Sequence, residues 1–236
     1  MKDLVRDIAK RCPKGELPVN YIVIDSETTG VDTDTDRVLQ WGYCVVKNRI
    51  PVDNAAYYLK RGRDVVIHEK AAAVHGITHE MLEKQGEDPK EVISVLVDAL
   101  KHFREQGYMF AGHNLLAFDA KLLERESAEL GVPFKFGDNE VIDTGVIVKA
   151  SQIGMLFRDA DTLRSFYTTV AARRAGGIFW SLDRHCVPAY NLDRFVSRET
   201  LSNAHDAGVD CLLTHHLFEV IRDTVYGGPR ALAGSF

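Results

Sequence analysis

The chain has little cysteine and none of it paired. Its four thiols, Cys12, Cys44, Cys186 and Cys211, are scattered along 236 residues without a CxxC pair. That speaks against a zinc ribbon or a disulfide framework and fits a reducing, cytoplasmic setting. No apolar run reaches the roughly 18 residues of a membrane span. The first 14 residues lack the apolar core of a signal peptide. They mix charges with Leu4, Val5 and Ile8, so a short amphipathic helix ending near Pro13 is predicted. No charge sign dominates: 29 Lys and Arg against 34 Asp and Glu give a net charge of −5. This excludes an unspecific polycation but leaves room for local basic patches. Repeats and low-complexity tracts are also absent. What is present is 45% hydrophobic, ample for one well-packed α/β domain.

One stretch stands out, Tyr21-Ile22-Val23-Ile24-Asp25-Ser26-Glu27-Thr28-Thr29-Gly30. Four apolar residues in a row read as a buried strand. Residues i and i+2 of a strand share a side, so Asp25 and Glu27 sit together at its end. Two anions in a partly dry place repel each other and lose hydration. A divalent cation between them resolves the conflict, and carboxylate oxygens suit Mg²⁺ and Mn²⁺. A strand that simply ends in a polar Thr-Thr-Gly turn is the other reading.

Alternating residues 37–47 and 51–60 add two strands to the first, a meander with its turn near Asn48-Arg49. Residues 68–85 read as short helices broken at Gly76. Pro89 opens a helix to about residue 104, its stripe formed by Val92, Val95, Leu96, Ala99, Leu100 and Phe103. Gly107 ends it. Residues 108–111 form a short strand, 112–114 a turn, 115–130 a helix, and 141–144 a strand leading into a helix. The pattern weakens over 151–202, and 204–226 is the last helix. Strands first, then alternating helices and strands, predict an α/β fold with a mixed sheet flanked by helices.

Two helices carry acids on their apolar side. Asp119 is predicted mid-stripe, with Leu115, Leu116, Leu122 and Leu123 at the same-face positions; Glu126, on nearly that face, leaves open the alternative that the face reaches solvent there. Asp210 has Ala207, Leu213 and Leu217 around it. Each alone could be a surface-grazing acid or half of a buried ion pair. Together with Asp25 and Glu27 they make four acids wanting a shared counter-charge, which a two-metal site explains. His205 reaches that site only from a loop-to-helix junction, for which Asn203 and Asp206 are candidate caps. His215-His216 read as surface or satisfied core residues.

These segments resemble the three motifs of the DnaQ-like, DEDD-type 3′–5′ exonucleases. Asp25-Ser26-Glu27-Thr28-Thr29-Gly30 is similar to the first motif and Gly112-His113-Asn114-Leu115-Leu116-Ala117-Phe118-Asp119 to the second. His205-Asp206-Ala207-Gly208-Val209-Asp210 is similar to the third in its histidine version, the DEDDh branch. Ala73-Val74-His75-Gly76-Ile77-Thr78 resembles a further segment of that branch. The resemblance implies an RNase H-like sheet, antiparallel meander plus parallel strands, with helices on both sides. It implies two divalent ions, Mg²⁺ or Mn²⁺, held by Asp25, Glu27, Asp119 and Asp210, and His205 as general base. It places Thr28, Thr29, His75, Ile77 and Asn114 at the substrate, with the backbone at Thr28 receiving the terminal 3′ hydroxyl. Single-stranded DNA 3′ ends are the expected substrate, with RNA or short oligonucleotides as the alternative, and a DNA polymerase partner is compatible with it. Two ions ~4 Å apart clamp attacking and leaving oxygens, and a histidine of ordinary pKa ~6.5 accepts the water's proton.

The expected layout is an N-terminal helical extension (1–16), one exonuclease domain (17–226) with an insertion at about 151–198, and a flexible tail (227–236). The insertion carries Arg158, Arg164, Arg173, Arg174, Arg184, Arg194 and Arg198 with Phe166, Tyr167, Phe179 and Trp180. Such a mixture holds single strands or is an ordinary solvated insertion. Residues 60–63, Lys-Arg-Gly-Arg, read as a solvated basic loop. Lys70 departs from the family, some members of which have an acid there.

Overall fold

A computed structural model of the chain describes residues 1–173, 180–202 and 205–228. Among these, five strands form one sheet in the order β3-β2-β1-β4-β5. They are β1 (Tyr21–Thr28), β2 (Val38–Lys47), β3 (Ile50–Tyr58), β4 (Met109–Gly112) and β5 (Val141–Asp143). The first three form an antiparallel meander, and β4 and β5 join parallel to β1. Asn48 and Arg49 both take left-handed backbone, φ 50° and 68°, as a two-residue hairpin turn requires.

The helices are α1 (Lys2–Ala9), α2 (Glu69–His75), α3 (His79–Gln85), α4 (Pro89–Glu105), α5 (Asp119–Glu129), α6 (Thr144–Gln152), α7 (Leu163–Ala172), α8 (Val187–Ala189), α9 (Arg198–Ser202) and α10 (Ala207–Tyr226). Alternation along β1 sets the layers. Tyr21 meets Phe218 of α10 edge-on, ring centroids 4.9 Å apart. Ile22, pointing the other way, lines an apolar groove under α4. So α10, with α1 and α6 against it, covers one face of the sheet, and α4 and α5 cover the other. This is the mixed, helix-flanked sheet that the residues predicted. No helix among the described residues is long and apolar enough to cross a membrane.

Several local expectations are corrected. The inward face of α4 is Val92, Ile93, Leu96, Val97 and Leu100. Val95, predicted inside, is 70% exposed. Both sets have helical spacing, so periodicity alone could not choose between them. Helix α5 starts at Asp119 rather than at 115, because the preceding turns are held from outside. Asn114 is left-handed at φ 70°, and the Asp143 carboxylate accepts the N–H groups of Asn114 (2.8 Å) and Leu116 (3.3 Å). Asp119 is therefore buried in the first turn of its helix, not in mid-stripe. Glu126 does not reach solvent: Arg61 (2.6 Å) and the Val38 N–H (3.0 Å) close over it. Arg61 is correspondingly drawn in from the loop that was predicted to be solvated.

Helix α10 starts at Ala207, three residues later than predicted. Asp206 caps it by accepting the N–H groups of Gly208 and Val209. The other candidate cap, Asn203, lies outside the described residues, as do Arg174, Phe179 and residues 229–236 of the expected tail. Phe166 and Tyr167 are fully buried in the main core, so these two aromatics of the 151–198 segment are not stacking surfaces. His215 is a buried core residue whose Nδ1 lies 2.8 Å from the Tyr21 hydroxyl.

Candidate active site

The end of β1 and the first turn of α10 are brought together by β2. Gly42 makes room for α10: a Cβ there would stand 2.3 Å from the Ala207 carbonyl carbon. Gln40 grips the same turn, donating to Asp206 Oδ2 at 2.7 Å and accepting the Ala207 N–H at 3.0 Å. Asp210, one turn on, is thereby set beside β1. Glu27, His205 and Asp210 each offer a ligand atom, all within 4.8 Å of one another. The register of β1 against β2 shifts between Glu27 and Thr28, a bulge that ends regular pairing at the site. Asp119 arrives from α5 and accepts the Ser26 hydroxyl at 2.6 Å.

The four acids perturb one another. Burial, then repulsion from Asp119, Asp210 and Glu27, pushes Asp25 well above the usual carboxylate range. Burial, then Asp210 and Asp119, pushes Glu27 up to about 9. Burial pushes Asp119 up to about 7 against the opposing Ser26 hydrogen bond. Burial lifts Asp210 to about 6 against the N–H and charge of His205. Among the described residues, the only basic side chain paired with any of the four is His205, whose Nδ1 is 4.0 Å from Asp210 Oδ2. Carboxylates that hold protons this strongly and have no Lys or Arg beside them are ready to exchange those protons for a hard cation.

His205 sits at the junction before α10 with left-handed backbone, φ 74°. Its N–H donates to Asp210 Oδ1 at 3.3 Å, and its Nε2 lies 3.3 Å from Asp183 Oδ2. A cleft of about 980 Å³ opens beside Glu27 and Thr28 and runs to Val74, His75 and Phe118. The Ile77 N–H donates to His75 Nδ1 (3.0 Å), so the ring proton is on Nε2, which donates to the Thr28 carbonyl (3.0 Å). Burial holds the His75 pKa below its ordinary value. The Thr28 hydroxyl donates to the Gly30 carbonyl at 2.5 Å. Thr29 donates to Asp36 and accepts the Arg37 N–H, so its hydroxyl faces the 30–37 loop. Ile77 is buried behind His75, and Asn114 meets Asp143 through its backbone. Among the described residues, Thr29, Ile77 and Asn114 do not line the cleft, whereas Lys70 does.

The sequence assigned no role of their own to Phe118, His113, Asp143 and Asp183, and marked Trp180 only as one aromatic of the insertion. Asp143 had a readable signal, since it follows an apolar run within a strand just as Asp25 does. Its carboxylate, lifted to about 6 by burial, accepts backbone N–H groups and holds the turn before Asp119. The link between His113 and Trp180 spans two segments with no shared pattern, and nothing in the sequence announced it.

A model of the RNase T-type exonucleases matches residues 22–170. The chain belongs to this exonuclease family. The match carries Asp25, Glu27 and Asp119 and ends before Asp183, His205 and Asp210. The family puts the chain among the nuclease hydrolases of DnaQ-like, RNase H-like type, enzymes that generally use divalent metal ions. No curated protein matches the sequence significantly. Among solved structures, exonuclease I superposes with a TM-score of 0.64 at 17% identity, over 88% of this chain and 41% of that one. E. coli exonuclease I in complex with a dT13 oligonucleotide gives 0.62 at 18% identity, over 87% and 42%. The zinc-bound E. coli complex with single-stranded DNA gives 0.59 at 17% identity, over 87% and 41%. At such identities the likeness is one of fold. The chain spans about two-fifths of the exonuclease I chains it matches.

Proposed function

We propose that the chain is a metal-dependent 3′–5′ exonuclease of the DEDDh type, removing nucleoside monophosphates from the 3′ end of single-stranded DNA. The observation that carries this is the convergence of Asp25, Glu27, Asp119 and Asp210 with no Lys or Arg among the described residues beside them, and with His205 at their edge. An all-oxygen donor set of this kind fits Mg²⁺ or Mn²⁺, held by the four carboxylates. When bound, the ions would polarise the scissile phosphate and lower the pKa of the attacking water. The residues do the rest. His205 takes a proton from the attacking water, the water's oxygen bonds to phosphorus, and the bond to the preceding nucleotide's 3′ oxygen breaks, that oxygen taking a proton from solvent. The cleft walled by Thr28, Val74, His75 and Phe118 receives the terminal sugar and base. The E. coli exonuclease I structures with dT13 and dA16 support DNA as the substrate.

The test is cleavage of matched 5′-labelled single-stranded DNA and RNA oligomers with Mg²⁺ or Mn²⁺, with EDTA as control. A metal-dependent ladder shortening from the 3′ end of DNA is expected. Faster loss of RNA would reassign the substrate. No cleavage of either would mean that the chain acts only with a partner, such as a polymerase, or does not cleave.

A further inference from the structure

The contact between His205 and Asp183 joins the acidic centre to a part of the chain that the chemistry above does not use. Asp183 belongs to a π-helical turn, Leu182–Cys186, an uncommon conformation that recurs at functional sites. This turn is fastened to the connection between β4 and α5, which also delivers Asp119. The Trp180 carbonyl accepts His113 Nε2–H at 2.6 Å, and the two rings stack, centroids 6.1 Å apart and 22° from parallel. Lys149 Nζ lies over the Trp180 ring at 5.6 Å. Leu182 and Cys186 are buried in the main core. Asp183 is thus presented to His205 from an anchored turn. Its other basic neighbour, Arg184 at 3.6 Å, lies on a mostly exposed side chain.

The His205 N–H donates to Asp210 Oδ1 at 3.3 Å, and Nδ1 stands 4.0 Å from Asp210 Oδ2, beyond hydrogen-bond distance. Its left-handed φ of 74° is uncommon for a residue with a side chain and needs such support. A carboxylate only accepts, so for the 3.3 Å approach of Asp183 to be a hydrogen bond with a neutral imidazole the ring proton must be on Nε2. The lone pair is then on Nδ1, the nitrogen on the Asp210 side of the ring. We propose that Asp183 is a positioning residue, which keeps the proton on His205 Nε2 and so aims the Nδ1 lone pair at the water to be activated. This rests on His205 being the general base. When Nδ1 takes the proton from water, the ring becomes an imidazolium whose Nε2–H remains on Asp183. Without Asp183 the neutral ring divides between two tautomers, only one of them productive.

A half-open ion pair of no consequence is the competing explanation, since both side chains are about a quarter exposed (28% and 24%). Two measurements separate them. The first is a long-range ¹H–¹⁵N correlation spectrum of metal-free, ¹⁵N-histidine-labelled protein at about pH 8.5, well above the ordinary histidine pKa. His205 is assigned by the signals lost in His205→Ala. The Nε2–H pattern is expected in the native chain and a mixture in Asp183→Ala. The second is kinetics. Asp183→Ala should lower kcat about ten- to a hundredfold, the size seen for orienting partners behind working histidines, with KM within about twofold. In a His205→Ala background the same change should do nothing further. Asp183→Asn keeps the size of the side chain and carries the spectroscopic test if the alanine variant folds poorly. Arg184→Ala should move neither readout. An unchanged tautomer with unchanged kcat, or an equal loss in the His205→Ala background, would overturn the role of Asp183. Full activity in His205→Ala would instead overturn the assignment of the base itself.

Discussion

β1 and α10 lie together along their lengths, and the two ends of this pair treat buried acids in opposite ways. Near the start of β1, Glu219 and Asp223 are buried with guanidinium groups on them: Arg49 reaches both at 2.5 Å, and Arg222 stands 3.4 Å from Glu219. The Tyr21 hydroxyl donates to Glu219 at 2.9 Å. At the other end, Asp25 and Glu27 of the same strand and Asp210 of the same helix meet Asp119, and no arginine or lysine among the described residues pairs with them. At the first end the acids arrive with their cations in the chain. At the second they arrive without them and are poised to draw a cation from solution. The proposed exonuclease chemistry uses the second end, and the first fixes the helix that carries Asp210.

The sharpest way to break this contrast is to remove an acid from each end. Asp25→Ala or Asp210→Ala should abolish hydrolysis of a labelled oligomer while binding, read by fluorescence anisotropy, largely survives; full activity in either would dissolve the assignment. His205→Ala should cost about 10²- to 10⁴-fold in turnover, as loss of a general base does, and a smaller loss would give the proton to another group. At the structural end, Arg49→Met leaves Glu219 and Asp223 short of a partner. Stability in urea should fall by about 1–2 kcal/mol, less than for a fully buried pair because Arg49 is 36% exposed, with kcat of the folded protein unchanged. A change in kcat there would mean that the two ends are not separable.

The smallest effect is on the pH dependence of the metal-free protein. Folded Glu27 keeps its proton up to about 9, whereas an unfolded glutamate releases it near 4.5. Between these values the folded state binds more protons, so stability falls as pH rises through the window. Glu27→Gln removes that loss. Its melting temperature should exceed that of the native chain at about pH 8 by a few degrees, ~1 kcal/mol moving Tm ~2–4 °C in a chain of this length. The gap should narrow toward about pH 5 and close when Mg²⁺ is added at the higher pH. A gap of opposite sign would mean that the acids are already compensated within the fold.

The centre was legible in the sequence because its logic is local. Asp25 and Glu27 follow an apolar run at a spacing that puts them on one side of a strand, and Asp210 stands among leucines at helical spacing. Asp119 was found for a partly mistaken reason: it was expected in mid-helix and lies at a helix start, since the N–H groups before it bond to Asp143, 24 residues onward in the chain. Glu126 looked like a surface acid because its partner, Arg61, is remote in sequence. Position 95 carried the same apolar character as its neighbours and still faces outward. The turn at Asp183 and its anchor through Trp180 and His113 were illegible for that same reason: periodicity reports which side of an element a residue occupies, not which distant turn will be seated beside it.

On the proposed function the four acids take up a cation that the chain does not supply. Calorimetric titration of Mn²⁺ into the metal-free protein, alongside the Asp25→Asn/Asp210→Asn double variant, tests it most directly. Saturable heat in the native chain that is lost in the double variant is the expected result. Equal heat in both, or none in either, would contradict it.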